Sequence, residues 1–185
     1  MDRAKIERAV RMILEEIEEY PEREGLRETP QRVARMYEEL FGPRPLEEPE
    51  HWKLFHIDDG HQMIVLKDLP VVAFCEHHLL PFIGKAHVAY IPEDRKIVGF
   101  NKIARLLEIS LRRLQIQERL TTEVAESIME RLRPQGVLVV VEAEHTCMTL
   151  RGVKQRGSSI VTVVSRGLLE EREVRAEALS LIRGL

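Results

Sequence analysis

The sequence predicts an α+β fold in which two antiparallel strand pairs flank two helices, behind an N-terminal helical arm. Three observations predict it. Apolar residues recur at helical spacing up to about residue 40 and at the two-residue spacing of strands from about residue 61. The stretch between, 43–60, holds Pro43, Pro45, Pro49 and an Asp58-Asp59-Gly60 turn, the marks of a connector. After 61 the elements run two strands, two helices, two strands and a closing helix, the layout of antiparallel pairs with helices on one face. The chain is therefore expected to divide into an N-terminal helical arm and loop, 1–60, and a domain that carries the chemistry, 61–185.

Each element has a local cause. Ile6, Val10, Ile13, Leu14 and Ile17 form a helical stripe that ends near Tyr20-Pro21. Thr29-Pro30 reads as an N-cap followed by proline at the first helical position, with Val33, Met36, Tyr37 and Leu40 on the apolar face and Gly42-Pro43 as the stop. Met63–Leu66 and Pro70–Phe74 are strand runs leading into a turn at Cys75, and Gly84–Ile91 alternates as a second long strand. Asn101 is the expected cap of a helix to about Leu114, and a second helix spans about Glu118 to Arg133, broken by Pro134-Gln135-Gly136. Val137–Glu144 is a β-branched strand, Ser159–Ser165 another, and Glu171–Ile182 the closing helix.

Composition narrows the function classes. The net charge of −3 over 185 residues argues against a general nucleic-acid binder. No apolar run approaches the ~18 residues of a membrane span, the longest being short stretches such as Val137–Val141. The start, Met1-Asp2-Arg3-Ala4-Lys5, leads into a charged amphipathic pattern with no apolar secretory region. A cytoplasmic enzyme with reduced thiols is the expectation, with no nucleic acid and no membrane as partner.

The chemistry concentrates in two short segments. Cys75-Glu-His-His78 and His145-Thr-Cys147 hold both cysteines of the chain, and His87 lies nearby. Cys75 and His78 have the C-x-x-H spacing that lets one turn grip one metal ion, and Cys147 would be a third, soft ligand brought in by the fold. Three protein ligands with an open fourth position is the count of a catalytic zinc site. His77 and His145 sit beside the ligands, where proton-transfer groups would be needed. Other readings of these residues stay open: a disulfide, two unrelated buried thiols, or a closed structural site with His77 or His145 as fourth ligand.

Two further segments can bind an anion and a base. Lys102 and Arg105, at i and i+3 of a helix start, share a face that suits a phosphate, and an ordinary solvated basic turn is the alternative. Arg112-Arg113 extends the basic character, and Arg151 follows Cys147 by four positions, near the proposed metal or simply at the surface. Gln117-Glu118 lies in a polar break between helices. A carboxylate there matches the paired N1–H and N2–H of guanine, or it is a solvated helix start.

These segments together resemble GTP cyclohydrolase I. Cys75-Glu-His-His-Leu-Leu-Pro-Phe82 resembles the family's C-E-H-H-x-x-P-F block. Gly99-Phe-Asn-Lys-Ile-Ala-Arg105 and Arg113-Leu-Gln-Ile-Gln-Glu-Arg-Leu-Thr121 resemble its G-[LF]-[SN]-K-x-x-R and R-x-Q-x-Q-E-R-L-T blocks. His145-Thr-Cys-Met-Thr-Leu-Arg-Gly152 resembles H-x-C-x-x-x-R-G, and Glu28-Thr-Pro-Gln-Arg-Val-Ala-Arg-Met-Tyr37 resembles the N-terminal helix. The resemblance runs over roughly 25–185. Asn101 stands where some members carry serine.

The resemblance implies a tunnelling fold, a four-stranded antiparallel sheet with helices outside, whose subunits join into barrels and then into a homodecamer of two face-to-face pentamers. It implies conversion of GTP and water to 7,8-dihydroneopterin triphosphate and formate, the first step of folate and tetrahydropterin synthesis. Zinc would be held by Cys75, His78 and Cys147. His145 would protonate guanine N7 as C8 is attacked, and His77 would serve later proton transfers. Glu118, with the backbone of Gln117, would hold the guanine edge. Lys102, Arg105, Arg151 and Arg32, with Asn101 at the same helix start, would hold the triphosphate, in pockets shared between subunits. A related tunnelling-fold enzyme, such as a pterin synthase or a nitrile reductase, and a non-catalytic zinc regulator that binds nucleotide are the competing classes. The sequence is silent on a regulatory protein partner.

Overall fold

A computed structural model describes residues 1–18, 20–42, 52–58 and 62–184. Most of the expected connector, including Pro43, Pro45, Pro49, Asp59 and Gly60, lies outside the described residues. The chain forms two compact units, Met1–Glu47 and Glu48–Leu185.

The first unit is a helix pair, α1 (Arg3–Ile17) and α2 (Thr29–Phe41). Asp2 caps α1 by accepting the Lys5 N–H at 3.1 Å, and an Arg3–Glu38 ion pair joins the helices. The apolar stripe of α1 stays near the surface, since no residue of that helix is buried. The expected Thr29 cap is corrected: Glu28 occupies the cap position and makes no side-chain cap bond. The helical ladder starts one residue earlier than expected, because Glu28 O already accepts the Arg32 N–H at 3.0 Å.

The second unit is built on a five-stranded sheet. Its strands are β2 (Ile64–Cys75), β3 (Pro81–Ile91), β5 (Leu114–Gln115), β6 (Gly136–His145) and β7 (Ile160–Gly167), in the order β5-β2-β3-β6-β7. The four long strands pair antiparallel, as expected, while β5 adds two residues parallel to the end of β2. A separate ribbon pairs β1 (Leu54–His56) with β4 (Lys96–Val98), so part of the predicted connector is strand. The two runs expected at 63–66 and 70–74 are one strand, with a register shift between Leu66 and Leu69. His87 on β3 secures this bulge, its Nδ1 accepting the Asp68 N–H at 3.1 Å. Gly84 on β3 leaves no room for a side chain, since a Cβ there would stand 1.9 Å from Glu142 O on β6.

Between the strand pairs lie α3 (Phe100–Leu111) and α4 (Gln117–Leu132). The helix α3 is capped by Gly99 rather than Asn101, and it stops at Leu111 because the chain turns at Arg112 into β5. Ile103, Leu107, Leu120, Val124 and Ile128 pack with Val71, Phe82, Val88 and Val139 in the main core.

The expectation of helices on one face does not hold. A 3₁₀ turn (Leu168–Glu170) and α6 (Arg172–Arg183) cover part of the opposite face, where Leu169, Ala178 and Ile182 pack on Ala89, Leu138 and Val140. The reason lies in Val137–Val141, which is apolar at every position. Successive side chains of a strand point to opposite faces, so both faces need cover. Beyond α6, Val72, Ile83, Val161 and Val163 remain exposed. Among the described residues β7 pairs only with β6, leaving an open sheet edge.

Candidate active site

The strand β2 ends at Cys75, and a tight turn returns the chain into β3: Cys75 O accepts the Leu79 N–H and Leu80 O accepts the Cys75 N–H, both at 2.9 Å. The turn is secured from outside, because Gln115 O accepts the Glu76 N–H at 3.1 Å and Arg119 pairs with the Glu76 carboxylate. The strand β6 ends at His145 and passes directly into a one-turn helix, α5 (Thr146–Thr149), which carries Cys147. Pairing of β3 with β6 places Phe82 opposite His145, so the two segments, far apart in sequence, meet at one end of the sheet.

There the donor atoms of Cys75, His78 and Cys147 all lie within 4.8 Å of one another. Tetrahedral zinc with Zn–S near 2.3 Å sets ligand atoms about 3.8 Å apart, so a small inward movement seats an ion. The donor chemistry fits as well. Burial and the neighbouring Cys75 push the Cys147 thiol above the ordinary cysteine range, with Arg151 opposing. Two sulfur donors held this close resist becoming two thiolates unless a cation joins them, and two sulfurs with one imidazole suit a thiophilic divalent ion.

Neither neighbouring histidine belongs to this three-residue group. The His77 backbone N–H points at Cys75 Sγ at 3.4 Å, its Nδ1 lies 3.7 Å from the same sulfur, and the ring is exposed. His145 is half-buried. Its Nε2 lies 2.8 Å from Gln117 Oε1, and its ring stacks on Phe82. Burial lowers the pKa of His145, and the Glu118 carboxylate works in the opposite direction. Glu118 itself is exposed on the first turn of α4, in an open depression lined also by Arg113, Arg119 and Glu123.

Of the expected phosphate ligands, Arg151 contacts the metal group, with Nη1 3.2 Å from His78 Nε2. Lys102 and Arg105 occupy the first turns of α3, with Asn101 beside them, and no hydrogen bond or ion pair links them to the metal group among the described residues. Arg32 belongs to the other unit, where it pairs with Glu28 at 2.8 Å. Sequence reasoning assigned Gln117 a backbone role, yet its side chain is 1% exposed and bridges His145 to the sheet. It also passed over Phe82 as the platform of His145 and Arg119 as the anchor of Glu76. Only the spacing of Gln115 and Arg119, which bond at i,i+4, offered a signal for the last of these.

Comparison with known proteins places this geometry in context. The family model described as GTP cyclohydrolase I matches residues 6–183. GTP cyclohydrolase 1 of Pelotomaculum thermopropionicum is 55% identical over 184 residues, covering 99% of this chain and 98% of its own. GTP cyclohydrolase 1 of Carboxydothermus hydrogenoformans is 54% identical over 183 residues, covering 98% of this chain and 95% of its own. Among solved structures, the archaeosine synthase QueF-like in its apo form matches 60% of this chain and 97% of that one, with a TM-score of 0.41 and 14% identity.

Proposed function

Since the chain belongs to the GTP cyclohydrolase I family, we propose that it is the zinc-dependent enzyme that opens GTP at guanine C8, releases formate and delivers 7,8-dihydroneopterin triphosphate to folate or tetrahydropterin synthesis. The observation that carries this reading is the grouping of Cys75, His78 and Cys147 within 4.8 Å, beside a half-buried histidine that stands outside the group. Those three residues would hold the ion, and a bound zinc ion supplies Lewis acidity at neutral pH.

The remaining work falls to side chains. Attack of water on C8 requires that N7 gain a proton, and His145 is the group assigned to donate it. His77, on the exposed side of the turn, serves the later transfers of ring opening, sugar rearrangement and reclosure. The Glu118 carboxylate accepts from guanine N1–H and N2–H, with the Gln117 backbone beside it. Lys102, Arg105 and Arg151, with Arg32 and Asn101, hold the triphosphate, and this remote binding energy positions C8 for attack.

The same membership supports a tunnelling fold whose subunits close into barrels and assemble as a decamer of two pentamers with shared pockets. The open β7 edge and the exposed Val72, Ile83, Val161 and Val163 are surfaces that such an assembly would cover. No described helix is long and apolar enough to cross a membrane, and we assign the enzyme to the cytoplasm.

Formate release from GTP, measured beside metal content, tests the reading. Stoichiometric formate with zinc bound is the expected result. GTP binding without formate would make the protein a nucleotide-binding regulator instead.

A further inference from the structure

Gln117 is the most highly connected polar side chain at this end of the sheet. It begins α4 and is 1% exposed. Its Nε2 lies 3.0 Å from Val141 O on β6, 2.9 Å from Ile160 O on β7 and 3.1 Å from Thr162 Oγ1. Carbonyl oxygens only accept, so the amide nitrogen must face them, and this fixes the flip of the carboxamide. Its oxygen then faces His145 Nε2 at 2.8 Å. A carboxamide oxygen cannot donate, so the hydrogen of that bond belongs to His145 Nε2.

The surrounding network agrees. Thr121 Oγ1 donates to Gln117 O at 2.7 Å. Its single hydrogen is then spent, so across the 2.6 Å contact with Thr162 Oγ1 it is Thr162 that donates. The Thr162 oxygen is then an acceptor for Gln117 Nε2, which shares its two hydrogens among this oxygen and the two carbonyls. The ring plane of His145 is held independently by Phe82, which is fully buried, with ring centroids 4.7 Å apart and planes 6° from parallel.

We propose that Gln117 is a positioning residue that holds His145 with its hydrogen on Nε2, so that Nδ1 is the nitrogen that exchanges a proton with substrate. The proposal rests on the cyclohydrolase reading and deepens it. When the ring is neutral, Nδ1 accepts; when it carries a second proton, Nδ1–H donates and Nε2–H stays on Gln117. Loss of Gln117 leaves Nε2–H without its acceptor and frees the ring to turn or to mix tautomers, so Nδ1 is no longer held toward substrate in one defined state. Because the same side chain is pinned to β6 and β7, the proton donor is referenced to the frame of the sheet and to the helix that presents Glu118.

The test combines a tautomer readout with kinetics on the intact zinc-loaded oligomer. Nitrogen NMR of histidine-labelled protein, with His145 assigned by the signals that vanish in His145→Ala, should show the neutral ring protonated at Nε2. Gln117→Met should mix the tautomers and lower kcat on the order of a hundredfold, with zinc content and the KM for GTP little changed. Gln117→Glu, which keeps an acceptor toward His145 and when protonated can still donate to one carbonyl, should restore the single tautomer and part of kcat. A wild-type ring protonated at Nδ1 overturns the proposal. So does a Gln117→Met protein that loses activity while His145 keeps one tautomer, because the residue would then be structural only. If Gln117→Met fails to fold, the wild-type spectrum and Gln117→Glu decide alone. Absence of formate release from the wild type would instead remove the cyclohydrolase reading, and the nitrogen spectrum would still report whether Gln117 sets the ring.

Discussion

The ring of His145 lies flat on the ring of Phe82, and the two residues are also direct partners in the β3–β6 ladder. The backbone register and the side-chain stack thus set one another: a slip of one residue would turn both rings to opposite faces of the sheet. Phe82→Leu keeps an apolar side chain but leaves a void at a fully buried position, and it removes the flat platform. The expected outcome is zinc content and GTP affinity near wild type with kcat down about tenfold. An unchanged kcat would show that Gln117 orients the ring without help.

Metal binding should separate Cys147 from His145. Cys147→Ser is expected to bring zinc from about one ion per subunit to nearly none and to abolish activity while circular dichroism still shows a folded chain, since the core is closed by β-sheet and helix packing. His145→Ala is expected to keep its zinc and lose a factor of about 10² to 10⁴ in kcat. Zinc loss in His145→Ala would make it a fourth ligand and the centre a closed, structural one.

Base selection should depend on Glu118. A carboxylate accepts from two adjacent donors, and guanine offers N1–H and N2–H, whereas adenine has an acceptor at N1 and no amino group at C2. A mismatch of this kind is worth factors on the order of 10⁴ in kcat/KM, so Glu118→Ala should lose most of its GTP turnover. Equal kinetics in the two proteins would return Glu118 to a solvated helix start.

The bulge in β2 should make stability depend on pH. Burial lowers the pKa of His87; Lys85 and Lys67 push the same way, and Asp68 and Glu142 push back. The unfolded chain therefore binds the proton first, and stability should fall as pH drops below the ordinary histidine value of about 6.5 and level off below the depressed folded value. His145, also lowered by burial, adds a slope of the same sign. Thermal melts of metal-stripped protein should show a shallower slope in His87→Gln than in wild type. Identical slopes would mean that His87 binds its proton equally in both states.

Assembly can be tested by complementation. Cys147→Ser and Lys102→Ala are each expected to be inactive. If pockets combine the metal group of one chain with the α3 start of another, unfolding and co-refolding the pair should restore part of the activity. Mixed oligomers without activity would place each pocket within one chain.

What the sequence by itself determined about this protein is local. C-x-x-H spacing at Cys75 and His78 follows from one turn of chain. The helix and strand order follows from apolar periodicity, and Cys147 stands out because so few soft donors are present. The five blocks that point to the family are likewise contiguous runs. What only the tertiary structure decided is everything that depends on register between distant strands. The Gln117 carboxamide reaches His145 because β6 and β7 bring Val141 O, Ile160 O and Thr162 around it. Phe82 reaches His145 because β3 pairs with β6 in one register and no other. The cover of the second sheet face by α6, and the replacement of Asn101 by Gly99 as the α3 cap, were also beyond local pattern. An alternation of apolar residues says that a face is buried but not by which element. A polar residue at a helix start can cap it, bind a ligand or face water, and only the path of the neighbouring chain selects among these.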